Sequence, residues 1–146
     1  MDLPQIMLSQ IAIGIGCRNN VSAQSIAALA REMLRETPAF RRAKLFTIGR
    51  KADEPGLREA AARLGFELVF LNEAEFLARQ DEFVARGATP SATTRELTGF
   101  ASVAEAAALM GGGEGSRLIL RRRAADGVPC AIAAPASECG LSEYDL

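Results

Sequence analysis

Hydrophobic and polar positions along this chain follow two periods, and the switches between them mark its elements. Gln10 to Gly16 reads QIAIGIG, with isoleucine at alternate positions and glycine at the end. A short apolar run of period two predicts a buried strand. From Ser22, a residue suited to capping, the period changes. Ile26, Leu29, Ala30, Met33 and Leu34 recur on one helical face, and Pro38 ends the pattern. A second strand is expected over Lys44 to Arg50, KLFTIGR. Asp53 can cap the following helix, and Pro55 sits in its first turn, where a missing N–H is harmless. Leu57, Ala60, Ala61 and Leu64 form that helix's buried face and Gly65 stops it. Phe66 to Leu71, FELVFL, is the third predicted strand, and a short helix is expected over Glu73 to Arg79.

The second half is less regular. Arg86 to Thr94 is polar, contains Gly87 and Pro90, and predicts a loop with scope for mobility. Ser102-Val103-Ala104-Glu105 has the spacing of a capping box. Its helix carries Val103, Ala106, Ala107 and Met110 on one side and ends at Gly111-Gly112-Gly113. Ser116 to Arg121 and Val128 to Ala133 predict two strands of a hairpin turning at Ala125-Asp126-Gly127. Strands alternating with helices imply parallel strands, right-handed crossovers and helices on both faces; the final hairpin makes the sheet mixed. The expected architecture is a single three-layer α/β/α domain over 1–146 with a mostly parallel, mixed sheet of about five strands. Its core is expected over about 9–134, followed by an acidic, frayed tail at 135–146.

Composition narrows the function classes. A net charge of −1 provides no basic field for nucleic acid, and 5% aromatic content provides no base-stacking surface. Cysteines at 17, 130 and 139 have no metal-ligand spacing and no disulfide framework, so a reduced, cytoplasmic setting is expected. The opening Met1-Asp2-Leu3-Pro4 lacks a signal peptide's basic region. No apolar run approaches the ~20 residues that span a bilayer, so no membrane partner is expected. The chain has no histidine. Ser-His-Asp and Cys-His catalysis are therefore impossible within it. Acid–base work is left to Asp, Glu, Lys, Tyr, Cys or bound water.

Two loops carry candidate chemistry, each following a predicted parallel strand and leading into a helix. One is Gly14-Ile15-Gly16-Cys17-Arg18-Asn19-Asn20-Val21-Ser22, the other Gly49-Arg50-Lys51-Ala52-Asp53-Glu54-Pro55-Gly56. Ligands of open α/β sheets bind outside the carboxyl ends of the strands. Glycines, cations and a helix N-terminus together favour an anion there. The glycines do not complete a dinucleotide fingerprint, and no P-loop lysine follows. Most of these residues also have a purely structural reading. Gly14 and Gly16 can serve tight strand–helix packing. Cys17 can be a nucleophile beside Arg18, but reads first as a small buried hydrophobe. Asp53 is first a cap and Glu54 a dipole partner, and either can position water. Arg50 and Lys51 can be solvated charges. Arg121-Arg122-Arg123 reads as a solvated edge whose alternate residues face opposite ways. Ser102 and Glu105 are assigned to capping alone.

Taken together, four segments resemble the family of CobE and the C-terminal domain of CbiG, which acts in cobalamin (vitamin B12) biosynthesis. They are Gly14-Ile15-Gly16-Cys17-Arg18, Lys51-Ala52-Asp53-Glu54-Pro55-Gly56-Leu57, Thr89-Pro90-Ser91, and Ser102 to Leu109, in the family's order and spacing. The resemblance spans about residues 9–134, and the length is most like stand-alone CobE. Two features depart from the pattern. Asn19 and Asn20 stand where the family has a basic residue and a glycine, and arginines fill a lysine-bearing segment near the end. The resemblance implies precorrin or corrin intermediates as ligand and other cobalamin-pathway enzymes as partners; no further cofactor is expected, and in a chain without histidine no protein–metal bond is expected. Gly14, Gly16, Cys17, Arg18, Asn19, Arg50 and Lys51 are the expected ligand-binding residues. Three classes follow: a carrier of a labile corrin intermediate, a hydrolase opening a precorrin lactone with release of acetaldehyde, and a docking module. In the hydrolase, Asp53 or Glu54 activates water and backbone N–H groups near Gly16 to Arg18 stabilise the oxyanion.

Overall fold

The computed structural model describes residues 10–16, 22–37, 42–48, 55–89, 102–125 and 128–135. Its elements are β1 (Gln10–Ile15), α1 (Ala23–Leu34), β2 (Arg42–Ile48), α2 (Pro55–Leu64), β3 (Glu67–Leu71), α3 (Glu73–Ala78), α4 (Gln80–Ala85), α5 (Val103–Gly112), β4 (Arg117–Ala125) and β5 (Val128–Ala134). The five strands form one sheet in the order β3-β2-β1-β5-β4. β1, β2 and β3 are parallel, and β5 and β4 return antiparallel. This is the mixed α/β sheet the alternating pattern predicts. Asp126 and Gly127 at the hairpin turn, and the acidic tail from 136, lie outside the described residues.

Alternate residues of β1 serve two cores. Ile11, Ile13 and Ile15 pack with Ile26, Leu29 and Met33 of α1 and with Leu57 and Ala60 of α2. Ala12 faces the other way, toward α5, Phe46 and Ile48 of β2, Phe76 of α3 and Phe83 of α4. Local signals set the helix ends as expected. The Ser22 hydroxyl accepts the Ser25 N–H at 3.1 Å, and α1 stops before Pro38. Pro55 opens α2, and Gly65, at φ +76°, closes it, its own N–H and that of Phe66 both donating to the Ala61 carbonyl.

α5 departs from the one-sided helix the sequence suggests. Ala104 to Leu109 are all buried, because the sheet covers one flank and Phe76 and Phe83 share the core on the other. A Cβ on Gly14 would overlap the Ala104 carbonyl oxygen and the Ala108 nitrogen, both backbone atoms of α5. Nor do the three glycines simply end the helix. α5 runs through Gly112, and a Cβ on Gly111 would overlap the Phe46 ring. Only Gly113, at φ +89°, is the stop.

Two further elements differ from expectation. α4 is unheralded, because in QDEFVA only Gln80 and Phe83 are buried, too few for a legible period. β4 extends to Ala125 and slips register twice against β5, between Leu118 and Leu120 and between Leu120 and Arg123. The slips set Ile119 and Leu120 together against the α1–α2 core, while Leu118 packs on the α5 side. They also disperse the arginines. Arg121 donates to the Gly87 carbonyl at 3.1 Å, whereas Arg123 pairs with Glu36 at 2.5 Å.

Glu105 requires a correction. Ser102 does cap α5, accepting the Glu105 N–H at 3.4 Å, but the Glu105 carboxylate does not complete a capping box. It is 1% exposed. One oxygen accepts the Thr89 N–H at 2.6 Å and the other the Arg122 N–H at 2.8 Å. The Ser102 N–H donates instead to the Thr89 carbonyl at 2.7 Å. Arg86 adds a second tie, donating to the Ser116 carbonyl at 2.5 Å and to the Gly113 carbonyl at 3.1 Å.

Two predictions follow from this packing. Gly14→Ala meets backbone that cannot yield and should destabilise by about 3 kcal/mol. Gly16→Ala meets the Val103 side chain at 3.0 Å, with the Ala104 backbone nitrogen at an ordinary 3.4 Å, and should cost about 1 kcal/mol; urea unfolding of the two variants checks the order. Glu105→Ala leaves two buried N–H groups without acceptors and should cost about 3 kcal/mol, with Glu105→Gln recovering roughly half. Hydrogen exchange should then accelerate at the Thr89 and Arg122 amides, and unchanged exchange at both would refute the clasp.

Candidate functional site at the carboxyl edge of the sheet

The parallel register pairs Gly14 with Phe46 and Ile48 with Leu71, so β1, β2 and β3 end along one edge. Four helices begin there. α1 and α2 follow β1 and β2, and Asn72 caps α3 directly after β3, accepting the Glu75 N–H at 2.9 Å. α5 starts beside β1, with Val103 against Gly16. Each N-terminus carries partial positive charge. α3 has Glu73 and Glu75 in its first turn and α5 has Glu105. α1 and α2 have no acidic residue there, although Asp53 and Glu54 directly precede α2 in sequence.

The connections Gly16 to Ser22 and Ile48 to Pro55 leave adjacent strand ends and carry the expected site residues. Cys17, Arg18, Asn19, Arg50, Lys51, Asp53 and Glu54 themselves lie outside the described residues. Gly14 and Gly16 are described. Both are buried and face α5, and that packing by itself accounts for glycine at each position. Thr47, not among the residues expected from the sequence, is a hydroxyl in an otherwise apolar stretch of β2. It is 0% exposed and its Oγ1 has no hydrogen-bond partner. The signal was a lone polar residue one place before the strand's carboxyl end.

Several other charged groups are matched within the fold. Arg79 bridges Glu75 and Glu82, and its hydrogen bond, reinforced by Arg86, holds the Glu82 carboxyl down at about 2. The hydrogen bond from Arg123 likewise holds Glu36 below the usual carboxylate range. Burial pushes the Cys130 thiol up to about 12, so it remains protonated and unreactive at neutral pH. Among the described residues no group of His, Cys, Asp and Glu is placed to hold a metal ion, and no helix is long and apolar enough to cross a membrane.

Comparison with known proteins agrees with this architecture. Residues 11–133 match the family described as cobalamin synthesis G C-terminus. Protein CobE of a Sinorhizobium species is 29% identical over 130 residues, which is 87% of this chain and 81% of that protein. The solved structure of CobE, a protein from the cobalamin (vitamin B12) biosynthetic pathway, matches with a TM-score of 0.70 at 36% identity, covering 86% of this chain and 90% of that one. The cobalt-precorrin-5A hydrolase of Priestia megaterium is 30% identical over 115 residues, 77% of this chain but only 29% of the hydrolase. With the family matched across nearly the whole sheet, from β1 into β5, the chain belongs to the cobalamin synthesis G C-terminus family and takes part in cobalamin biosynthesis.

Proposed function

We propose that this protein binds anionic precorrin or corrin intermediates at the carboxyl edge of its sheet and carries them without turnover. One observation supports this most directly. Among the described residues, the two helices without an acidic first turn, α1 and α2, stand at the ends of neighbouring parallel strands; the segments entering them bear Arg18, Arg50 and Lys51, alongside Asp53 and Glu54 before α2. Precorrins present acetate and propionate carboxylates around a flat apolar macrocycle. Guanidinium groups grip carboxylates in a bidentate manner, and lysine acts as a point charge. Gly16, Cys17 and Asn19 supply backbone to the same loop.

A chain without histidine has no imidazole to move protons near neutrality or to ligate cobalt. The hydrolase reading draws on the likeness to the cobalt-precorrin-5A hydrolase, most of whose length this chain does not span. In that reading Asp53 or Glu54 activates water.

A visible-absorption titration with precorrins and with a late corrin acid tests the proposal. The expected result is saturable binding with the ligand recovered unchanged. Lys51→Ala and Arg18→Ala should each weaken binding by about tenfold, the loss of one charge-assisted contact, whereas Asp53→Asn and Glu54→Gln should bind like the parent protein. Release of acetaldehyde or an opened lactone would make the protein a hydrolase and overturn the carrier reading.

A further inference from the structure

Helices α3 and α4 follow one another with a break at Arg79, and the break keeps their phase. Phe76 and Phe83, seven residues apart, are both fully buried, with ring centroids 6.0 Å apart. At about 100° per residue, the pair of helices then divides into three faces. Phe76, Gln80 and Phe83 are buried on the first. Glu75, Arg79, Glu82 and Arg86 form a ladder of ion pairs along the second. The third holds Ala74, Leu77, Ala78, Asp81, Val84 and Ala85, all exposed, with Asp81 near its centre.

This third face is unlike the outer faces of α1 and α2. α1 exposes Gln24, Arg31 and Glu32, and α2 exposes Arg58, Glu59 and Arg63, as solvated helices do. Leu77, at 37%, and Val84, at 39%, are the large hydrophobic residues left exposed among the described residues. Both stand on this one face, so they form a patch rather than a scatter. Between them, Asp81 has no ion-pair partner among the described residues. The α4 dipole favours an acid in this turn, but Glu82 beside it already meets that need.

We propose that this face docks a helix of another protein, one that presents an arginine or lysine between apolar residues. The proposal goes beyond the carrier reading and does not depend on it. The partner's cation meets Asp81, and its apolar residues cover Leu77 and Val84. Ala78 and Ala85 keep the face low enough for a helix to approach closely. A second copy of this chain does not suit the face, because a two-fold pairing about its centre sets Asp81 against Asp81. Two helices of six residues each offer a contact at the small, transient end of protein interfaces. α3 starts straight after β3, so a protein docked here stands beside the carboxyl edge of the sheet.

A photo-crosslinking amino acid in place of Ala78 of the full chain tests this in cobalamin-producing cells, with the same amino acid in place of Ala62, exposed on α2, as the control. Mass spectrometry of the trapped product should give one other protein, joined through a helical peptide that carries an arginine or lysine among apolar residues, and only from position 78. Calorimetry with that protein, purified, should show Asp81→Asn binding about tenfold more weakly. The double variant Leu77→Ala, Val84→Ala should weaken binding by about tenfold as well. Urea midpoints of these variants should stay close to the parent's, because the replaced groups are exposed. Raising sodium chloride from about 0.05 M to about 0.5 M should weaken the parent complex several-fold and the Asp81→Asn complex little; on the parent this reads the charge contact without any variant. A crosslink to a second copy of this chain, a partner peptide without a cation, no crosslink from position 78, or parent binding indifferent to salt overturns the docking face and leaves the carrier reading standing.

Discussion

The structure depends on the contact between the backbone of α5 and the backbone of β1 at Gly14. A helix normally rests on a sheet through a layer of side chains. Here the Ala104 carbonyl and the Ala108 nitrogen occupy the space that a Cβ at position 14 would need. Such an approach demands small residues on both partners, and α5 supplies alanine at 104, 106, 107 and 108. It also explains why α5 is buried on both flanks: a helix seated this deep is overlaid by its neighbours, here Phe76 and Phe83. Dispersion contacts multiply at this separation, and any added methyl must displace backbone.

With α5 seated, Glu105 becomes structurally necessary. The helix enters the core without long side chains to bind it to the elements at its start. The chain uses a buried carboxylate, which accepts N–H groups from Thr89 after α4 and from Arg122 in the irregular part of β4. A carboxylate is an acceptor with no proton of its own to place, so two backbone donors from different segments suit it well. The register slips in β4 belong to the same arrangement, because Arg122 lies between the Leu120–Ile132 and Arg123–Cys130 pairs.

What could be read from the sequence divides along the same line. β1, α1, β2, α2 and β3 are legible because each has one periodicity and a glycine, proline or serine at its boundary, as in Ser22 and Gly65. The second half resists because its signals have two meanings. Ser102-x-x-Glu105 is a capping box by spacing and a buried clasp in three dimensions, since spacing does not reveal what lies opposite a side chain. Gly111 looks like a helix stop until the Phe46 ring is placed against it. α4 buries only Gln80 and Phe83, leaving no pattern to find. At the candidate site, the sequence showed the loops and their charges but not Thr47, whose significance is the absence of a partner.

Local consistency identifies functional positions when it fails at one place and holds elsewhere. In this fold the first turns of α3, α4 and α5 carry acids that answer their dipoles, and buried hydroxyls and amides find acceptors. The exceptions are the first turns of α1 and α2 and the hydroxyl of Thr47, and all three meet at the carboxyl edge of the parallel strands. The described groups at that edge that favour an anion are peptide dipoles and a hydroxyl, and neither changes protonation near neutral pH. The chain has no histidine, so no imidazole moves protons there. On the reading proposed above, groups of this kind would hold a polycarboxylate with little change across the neutral pH range.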